Sequence, residues 1–231
     1  MIERFFHLPA VSSFAGDIDF LIGLITVLVG FWFFLAQAVF FGLIFRYRHR
    51  EGRRADYITG DEKEIKRPIT IAHMLVLVCD VVIVFFAVQT WYQVKQDLPP
   101  ADATVRVITQ QWAFSFVHPG PDRKLDTADD IRTVGELHVE VGKTYHYLLE
   151  SRDVLHDFSV PVFRLKQDAV PGRVITGWFR AKETGVHDIQ CAEICGIGHG
   201  LMPARIVIES PVQHAAWMAR HASTALAANL P

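Results

Sequence analysis

Two of the chain's three cysteines lie in Cys191-Ala192-Glu193-Ile194-Cys195-Gly196-Ile197-Gly198-His199-Gly200-Leu201-Met202-Pro203. The spacing is Cys-x3-Cys-x3-His-x2-Met. Thiolates, an imidazole and a thioether on one short segment suit copper. Zinc normally avoids a thioether. A disulfide would account for the thiols on the oxidising side of a membrane, but not for the His and the Met. Glycines at 196, 198 and 200 let the segment wrap closely around an ion.

A single blue-copper ion takes one Cys, two His and a weak axial Met. Here there is a second Cys, and two thiolates can bridge two copper ions. Each copper then needs one imidazole, so a second His must come from elsewhere. The candidates are His118, His138, His146, His156, His187, His214 and His221. His156 fits best. It opens the apolar stretch His156–Pro161, 35 residues before Cys191, a distance that allows a neighbouring strand in a Greek key. His138 and His146 sit in alternating stretches and read as surface residues. His187 faces away from Cys191 by strand parity.

The elements that must hold these ligands fall into two parts. The chain has 231 residues, and its 51% hydrophobic content excludes disorder. The apolar residues cluster at the N-terminal end. Phe20 to Phe45 is a run of 26 residues without a charge. As a helix it would be roughly 39 Å long, enough to cross a hydrocarbon core of about 30 Å. It is too long for a signal-peptide core and ends in Arg46-Tyr47-Arg48-His49-Arg50. A second run, Ile69–Val94, holds one acid, Asp80. Pro68 suits its first turn, and Trp91 and Tyr92 suit an aromatic belt at the other end.

The intervening loop, 46–68, holds Arg46, Arg48, Arg50, Arg53, Arg54, Lys63, Lys66 and Arg67, against Arg4 alone before the first run. The positive-inside rule makes that loop cytoplasmic. The N-terminus and everything after Lys95 are then expected on the outer, periplasmic side of an inner or plasma membrane. Residues 1–95 are read as a membrane anchor in the lipid bilayer.

Pro99-Pro100 breaks the chain, and the pattern becomes short alternating runs. Thr104–Val117, Thr133–Val141, Thr144–Glu150, Asp157–Phe163, Val174–Arg180, Gly185–Cys191 and Ala204–Glu209 read as strands. They predict an all-β sandwich or barrel over 96–210. The Ala-rich tail, 211–231, reads as a short helix. A net charge of -2 argues against a nucleic-acid partner. Four acids in Pro119–Asp130 suggest Ca2+ bound at 122–130 or a solvated turn; the spacing fits no EF-hand.

These pieces resemble subunit II of the haem-copper oxidases. The resemblance rests on Cys191-Ala192-Glu193-Ile194-Cys195-Gly196, His199, Met202-Pro203, Leu155-His156-Asp157-Phe158-Ser159-Val160-Pro161, Lys166-Gln167-Asp168-Ala169-Val170-Pro171-Gly172-Arg173 and Gln111-Trp112. It implies a two-helix transmembrane hairpin followed by a cupredoxin-like Greek-key sandwich with a dinuclear copper centre, CuA. Cys191 and Cys195 would bridge both coppers, and His156 and His199 would each bind one. Met202 would be a weak ligand to one copper and the Glu193 carbonyl to the other. The Glu193 side chain would reach a Mg2+ at the interface with the catalytic subunit I. Trp112 would receive electrons from cytochrome c.

The family usually carries Glu-x-x-Trp-Thr-x-x-Pro near the start of the second helix, at a proton entrance. Here Lys66–Leu75 matches none of it. Asp80 sits deeper, where an acid costs about 2.5–3.5 kcal/mol on insertion scales. It is expected to face the catalytic subunit, in a proton or interface role, or to bond between the helices. The expected function is electron input to an O2-reducing oxidase. A nitric oxide reductase of the same family is the alternative. A copper-delivery protein is a third reading, and it predicts a βαβ pattern around the cysteines.

Overall fold

The structure is a computed structural model that describes residues 8–54 and 57–228, the side chains of 223–228 excepted. Arg4, part of the 46–68 loop and the end of the tail therefore lie outside the described residues. The chain divides into two compact units, Asp19–Trp91 and Met1–Ile18 with Tyr92–Pro231.

The first unit is built from two helices, α1 (Ala15–Arg46), whose first four residues belong to the second unit, and α2 (Lys63–Trp91). Both are long and apolar enough to cross a membrane. α1 begins five residues before the uncharged run and α2 six residues before Ile69, so Pro68 lies inside α2. The reason is that absence of charge marks the hydrocarbon span, whereas helices continue into the polar layers, where Asp17 and Lys63–Arg67 are solvated. Just ahead of α2 the Thr59 amide and hydroxyl both donate to Glu62 Oε1, at 3.2 and 2.9 Å. Trp32 Nε1 donates to Cys79 Sγ at 3.5 Å, joining the helices. Asp80, next in sequence, is exposed, and no hydrogen bond or ion pair among the described residues reaches its carboxylate.

The second unit is a β-sandwich. One sheet has the order β3 (Ile131–Val134), β2 (Ala113–His118), β1 (Ala103–Gln110), β5 (Thr144–Ser151), β8 (Ile175–Arg180). A second has β4 (Glu136–Glu140), β10 (Ala204–Glu209), β9 (Gly185–Ile189). A hairpin of β6 (His156–Val160) and β7 (Leu165–Ala169) completes it. The expected strand 133–141 is split at Gly135, whose φ of 77° turns the chain from one sheet to the other. The run 104–117 is likewise split at Gln111-Trp112. β7 is the strand the alternation does not reveal, since only its ends are buried.

Phe114, Phe116, Tyr147, Leu149, Phe158, Phe179, Ile189 and Ile206 fill the core. Residues just before α1 join this unit, although 1–95 reads as anchor from sequence. The Val11 amide donates to Val162 O at 2.9 Å, Ser12 Oγ to Phe163 O at 2.9 Å, and Phe14 packs edge-on against Trp178. A single Val or Phe gives no periodic signal, so this docking is invisible in the sequence.

α3 (Pro211–Ala228) closes the unit. Ser210 and Gln213 form a capping box with Pro211 at the first helical position. α3 buries Trp217 among histidines: the His138 ring stacks on it at 4.3 Å, and His118 meets it edge-on at 4.9 Å. His138 is therefore not the surface residue its alternation suggests. Its Nδ1 lies 3.2 Å from one Glu209 oxygen, and His214 Nδ1 lies 2.9 Å from the other. A helix arriving from about 70 residues away covers a strand face that looks solvated in the sequence.

Burial, with the neighbouring His138, His214 and His221, pushes the His118 pKa down from 6.5 to about 3. Other charges on the facing elements are Glu136 and Glu209. Between pH 6.5 and 3 the unfolded chain binds a proton at His118 that the native one does not, so stability falls as pH falls. The expected slope is up to about 1.4 kcal/mol per pH unit. Thermal melts of the full chain in detergent should show this acid loss, and His118→Leu should flatten it; an unchanged slope in the variant would assign the loss to other groups.

Candidate metal centre

The ligand loop, 190–203, runs from the end of β9 to the start of β10, so both its ends are anchored in one sheet. β6 lies against it through reciprocal Ser159–Gln190 backbone bonds of 3.0 and 2.9 Å. That contact places His156, at the start of β6, opposite Cys191.

Three of the sequence-selected side chains, His156, His199 and Met202, and the Glu193 backbone carbonyl converge around the two thiols. Cys191 Sγ lies 3.8 Å from Cys195 Sγ and 3.9 Å from His156 Nδ1. Cys195 Sγ lies 3.6 Å from His199 Nδ1 and 3.5 Å from Met202 Sδ. The Glu193 backbone carbonyl accepts the Cys191 thiol at 3.2 Å. The two sulfurs are far outside the ~2.05 Å of a disulfide. Donors each about 2.0–2.3 Å from a shared ion stand about 3.3–3.8 Å apart at tetrahedral angles. The spacing therefore fits metal ligation. His156, Cys191 and Cys195 form the one ion-sized His/Cys/acid cluster among the described residues.

The site is shielded on one side, while Cys191 and His199 are half-buried. His156 is fully buried, and Cys195 and Met202 nearly so. Burial, then the hydrogen bond to Cys191, pushes the Cys195 thiol up to about 11. An ion bound here would replace thiol protons.

A second layer aims the ligands. Asp153 Oδ1 accepts His156 Nε2–H at 2.9 Å, leaving the Nδ1 lone pair for the thiol side. Asp153 Oδ2 accepts the Gln111 amide at 2.7 Å, and Gln111 Nε2 donates to Cys195 O at 2.8 Å. Against the raising effect of burial, the bonds from the Gln111 amide, His156 and the Val154 amide hold the Asp153 carboxyl below its usual range. Sequence reasoning misses Asp153 and takes Gln111 only as the neighbour of Trp112, since neither has a donor spacing of its own. The local signal is Asp-x-x-His.

Trp112 is 38% exposed and follows Gln111 at the turn from β1 to β2. Asp157 is fully buried, and among the described residues neither carboxylate oxygen has a hydrogen-bond partner. Burial and the facing Asp168 of β7 push its pKa up to about 7. In the Asp-rich loop, carboxylates accept backbone amides: Asp129 Oδ2 from Asp122 at 3.2 Å, and Asp130 Oδ2 from Asp126 at 2.9 Å. The cysteines lie between two strands of one sheet, not in the βαβ unit that a copper-delivery reading predicts.

Residues 114–211 match the family described as cytochrome c oxidase subunit II, periplasmic domain. The chain is 34% identical to alternative cytochrome c oxidase subunit 2 of Bradyrhizobium diazoefficiens, over 84% of this chain and 78% of that protein. It is 28% identical to cytochrome c oxidase subunit 2 of Cereibacter sphaeroides, over 96% and 82% of the two chains. The crystal structure of the periplasmic domain of cytochrome oxidase subunit II from Bradyrhizobium japonicum superposes with a TM-score of 0.50 at 28% identity, covering 55% of this chain and 99% of that one.

Proposed function

The chain belongs to the cytochrome c oxidase subunit 2 family, and on that premise we propose that it holds a dinuclear copper centre, CuA, fed by cytochrome c. It is an electron-input subunit of a haem-copper oxidase, with two long apolar helices and a cupredoxin-like periplasmic domain. Its partner is the catalytic subunit of that oxidase.

The observation that carries the reading is the pair of thiols 3.8 Å apart, with a histidine 3.9 Å from one and another 3.6 Å from the other. Cys191 and Cys195 would bridge two coppers, His156 and His199 would each bind one, and Met202 and the Glu193 carbonyl would supply the weak contacts. Bound copper supplies a reversible one-electron relay. The protein's own contribution is to keep the ligands fixed: Asp153 orients His156, the β6–β9 bonds hold it opposite Cys191, and the buried core excludes water. Trp112, at the exposed edge, would receive the donor's electron. The Glu193 side chain would reach a Mg2+ shared with the catalytic subunit.

The docking of residues 11–15 on the β domain supports placing the N-terminus and that domain on one side of the bilayer, with the basic loop on the other. An electron paramagnetic resonance spectrum of the oxidised protein tests the centre. Two equivalent coppers sharing one unpaired electron are expected; a single-copper pattern would overturn the assignment.

Asp80 would face the catalytic subunit. The alternative, a bond between the two helices of this chain, has no partner in the described residues, where Trp32 reaches Cys79 instead. An exposed acid in an apolar span needs a polar neighbour in the assembled complex. Asp80→Asn is expected to lower turnover severalfold and shift its pH profile while leaving reduction of the copper centre by cytochrome c unchanged. Unaltered turnover and profile would remove the proton role.

A further inference from the structure

We propose that Gly198 is a positioning residue: it lets the Trp112 indole lie flat on the ligand loop one residue before His199, and so sets the contact through which the donor's electron reaches the ligands. The second half of this rests on Trp112 as the electron-receiving residue.

Three loop glycines invite one explanation, chain flexibility, but they differ. Gly196 has φ 122°, a conformation other residues rarely adopt. Gly200 has open space around it, with nothing within 4 Å of the position a methyl group would take. Gly198 has φ -90° and ψ 11°, which any residue can take. What excludes a side chain there is Trp112. A Cβ on Gly198 would fall 2.6 Å from the indole Cγ and 2.8 Å from Cε3, with Cδ2 closer still. All three atoms belong to the face of the ring, so the ring covers the Gly198 backbone. At Gly196 a Cβ would lie 3.2 Å from Cζ2, so the same ring extends over both glycines.

The chain that carries the indole is held in place. Its neighbour Gln111 is tied to the loop through Cys195 O at 2.8 Å and to Asp153, the partner of His156, at 2.7 Å. The backbone beneath the ring is therefore pinned to both halves of the centre. A methyl group at 198 must displace either the ring or the loop. The ring is the cheaper one to move, because it is 38% exposed whereas Cys195 and Met202 are buried.

The test uses the full chain in its assembled complex, with Gly198→Ala, Trp112→Ala, Trp112→Phe and the double variant of Gly198→Ala with Trp112→Ala. Acrylamide quenching reads the seat: the emission component missing from Trp112→Phe should become more accessible in Gly198→Ala. Stopped-flow reduction by cytochrome c reads its consequence, a slowing of about tenfold or more for a misplaced contact, with the copper spectrum unchanged. The double variant should be reduced as fast as Trp112→Ala alone. Unchanged quenching, a further loss in the double variant, or loss of the copper spectrum in Gly198→Ala would each overturn the proposal. If Trp112→Ala is reduced as fast as the wild type, the electron-receiving role of Trp112 fails, and quenching still decides the seat on its own.

Discussion

Replacing His156 with alanine is expected to abolish the two-copper spectrum and with it reduction by cytochrome c, while the β domain stays folded. His156 is fully buried, with Nε2 bonded to Asp153 and Nδ1 turned toward Cys191. Four other described histidines of the domain are committed elsewhere: His146 Nε2 lies 2.7 Å from Pro99 O, and His118, His138 and His214 surround Trp217. None of these can replace it without dismantling a strand or α3. Loss of a supporting partner such as Asp153 costs about 10–100-fold in metal affinity. Asp153→Ala should therefore weaken copper retention by that amount, and His156→Ala by more. Circular dichroism checks the fold: β6 keeps its pairing with β7 and the Ser159–Gln190 bonds. A retained two-copper spectrum in His156→Ala would mean that another histidine is the ligand.

The second large effect concerns the scaffold. Phe158 lies two residues after His156 on the same face of β6, fully buried, with ring centroids 5.7 Å from Tyr147 and 6.3 Å from Phe114. It is the inward anchor of the strand that presents His156. Phe158→Ala should destabilise the domain by about 3–5 kcal/mol, the usual cost of emptying a buried aromatic site. Denaturant unfolding of the full chain in detergent measures it. Copper should also be lost at lower denaturant concentration in this variant, because β6 carries one ligand and the loop the others. Phe158→Leu, which fills most of the space, should lose less. If both variants unfold like the wild type, the strand is held by its backbone bonds alone.

Some residues can be read without coordinates because their chemistry is local. Cys-x3-Cys-x3-His-x2-Met lies on one loop, so spacing alone names its donors. The two apolar runs announce their helices because a span of lipid demands about 20 apolar residues in a row. Alternation locates most strands, and Gly and Pro punctuate them. Its place at the head of an apolar stretch 35 residues before Cys191 singles out His156 among seven candidate histidines of the domain, and the family resemblance implies the same residue.

Other properties depend on parts of the chain that are remote in sequence. Nothing near His138 shows that α3 will cover it, and nothing near Val11 shows that it will pair with Val162. Asp153 and Gln111 become ligand-orienting residues only when the turn after β1 meets the loop after β9. Gly198 resembles its neighbouring glycines until Trp112, 86 positions earlier, is laid over it. The sequence by itself determined the candidate donor set and the two-part organisation, because soft-ligand chemistry and lipid solvation act on residue type and local spacing. The tertiary structure alone decided which nitrogen faces the thiols, which residues steady them and where the indole rests, because those depend on side chains brought together from distant strands.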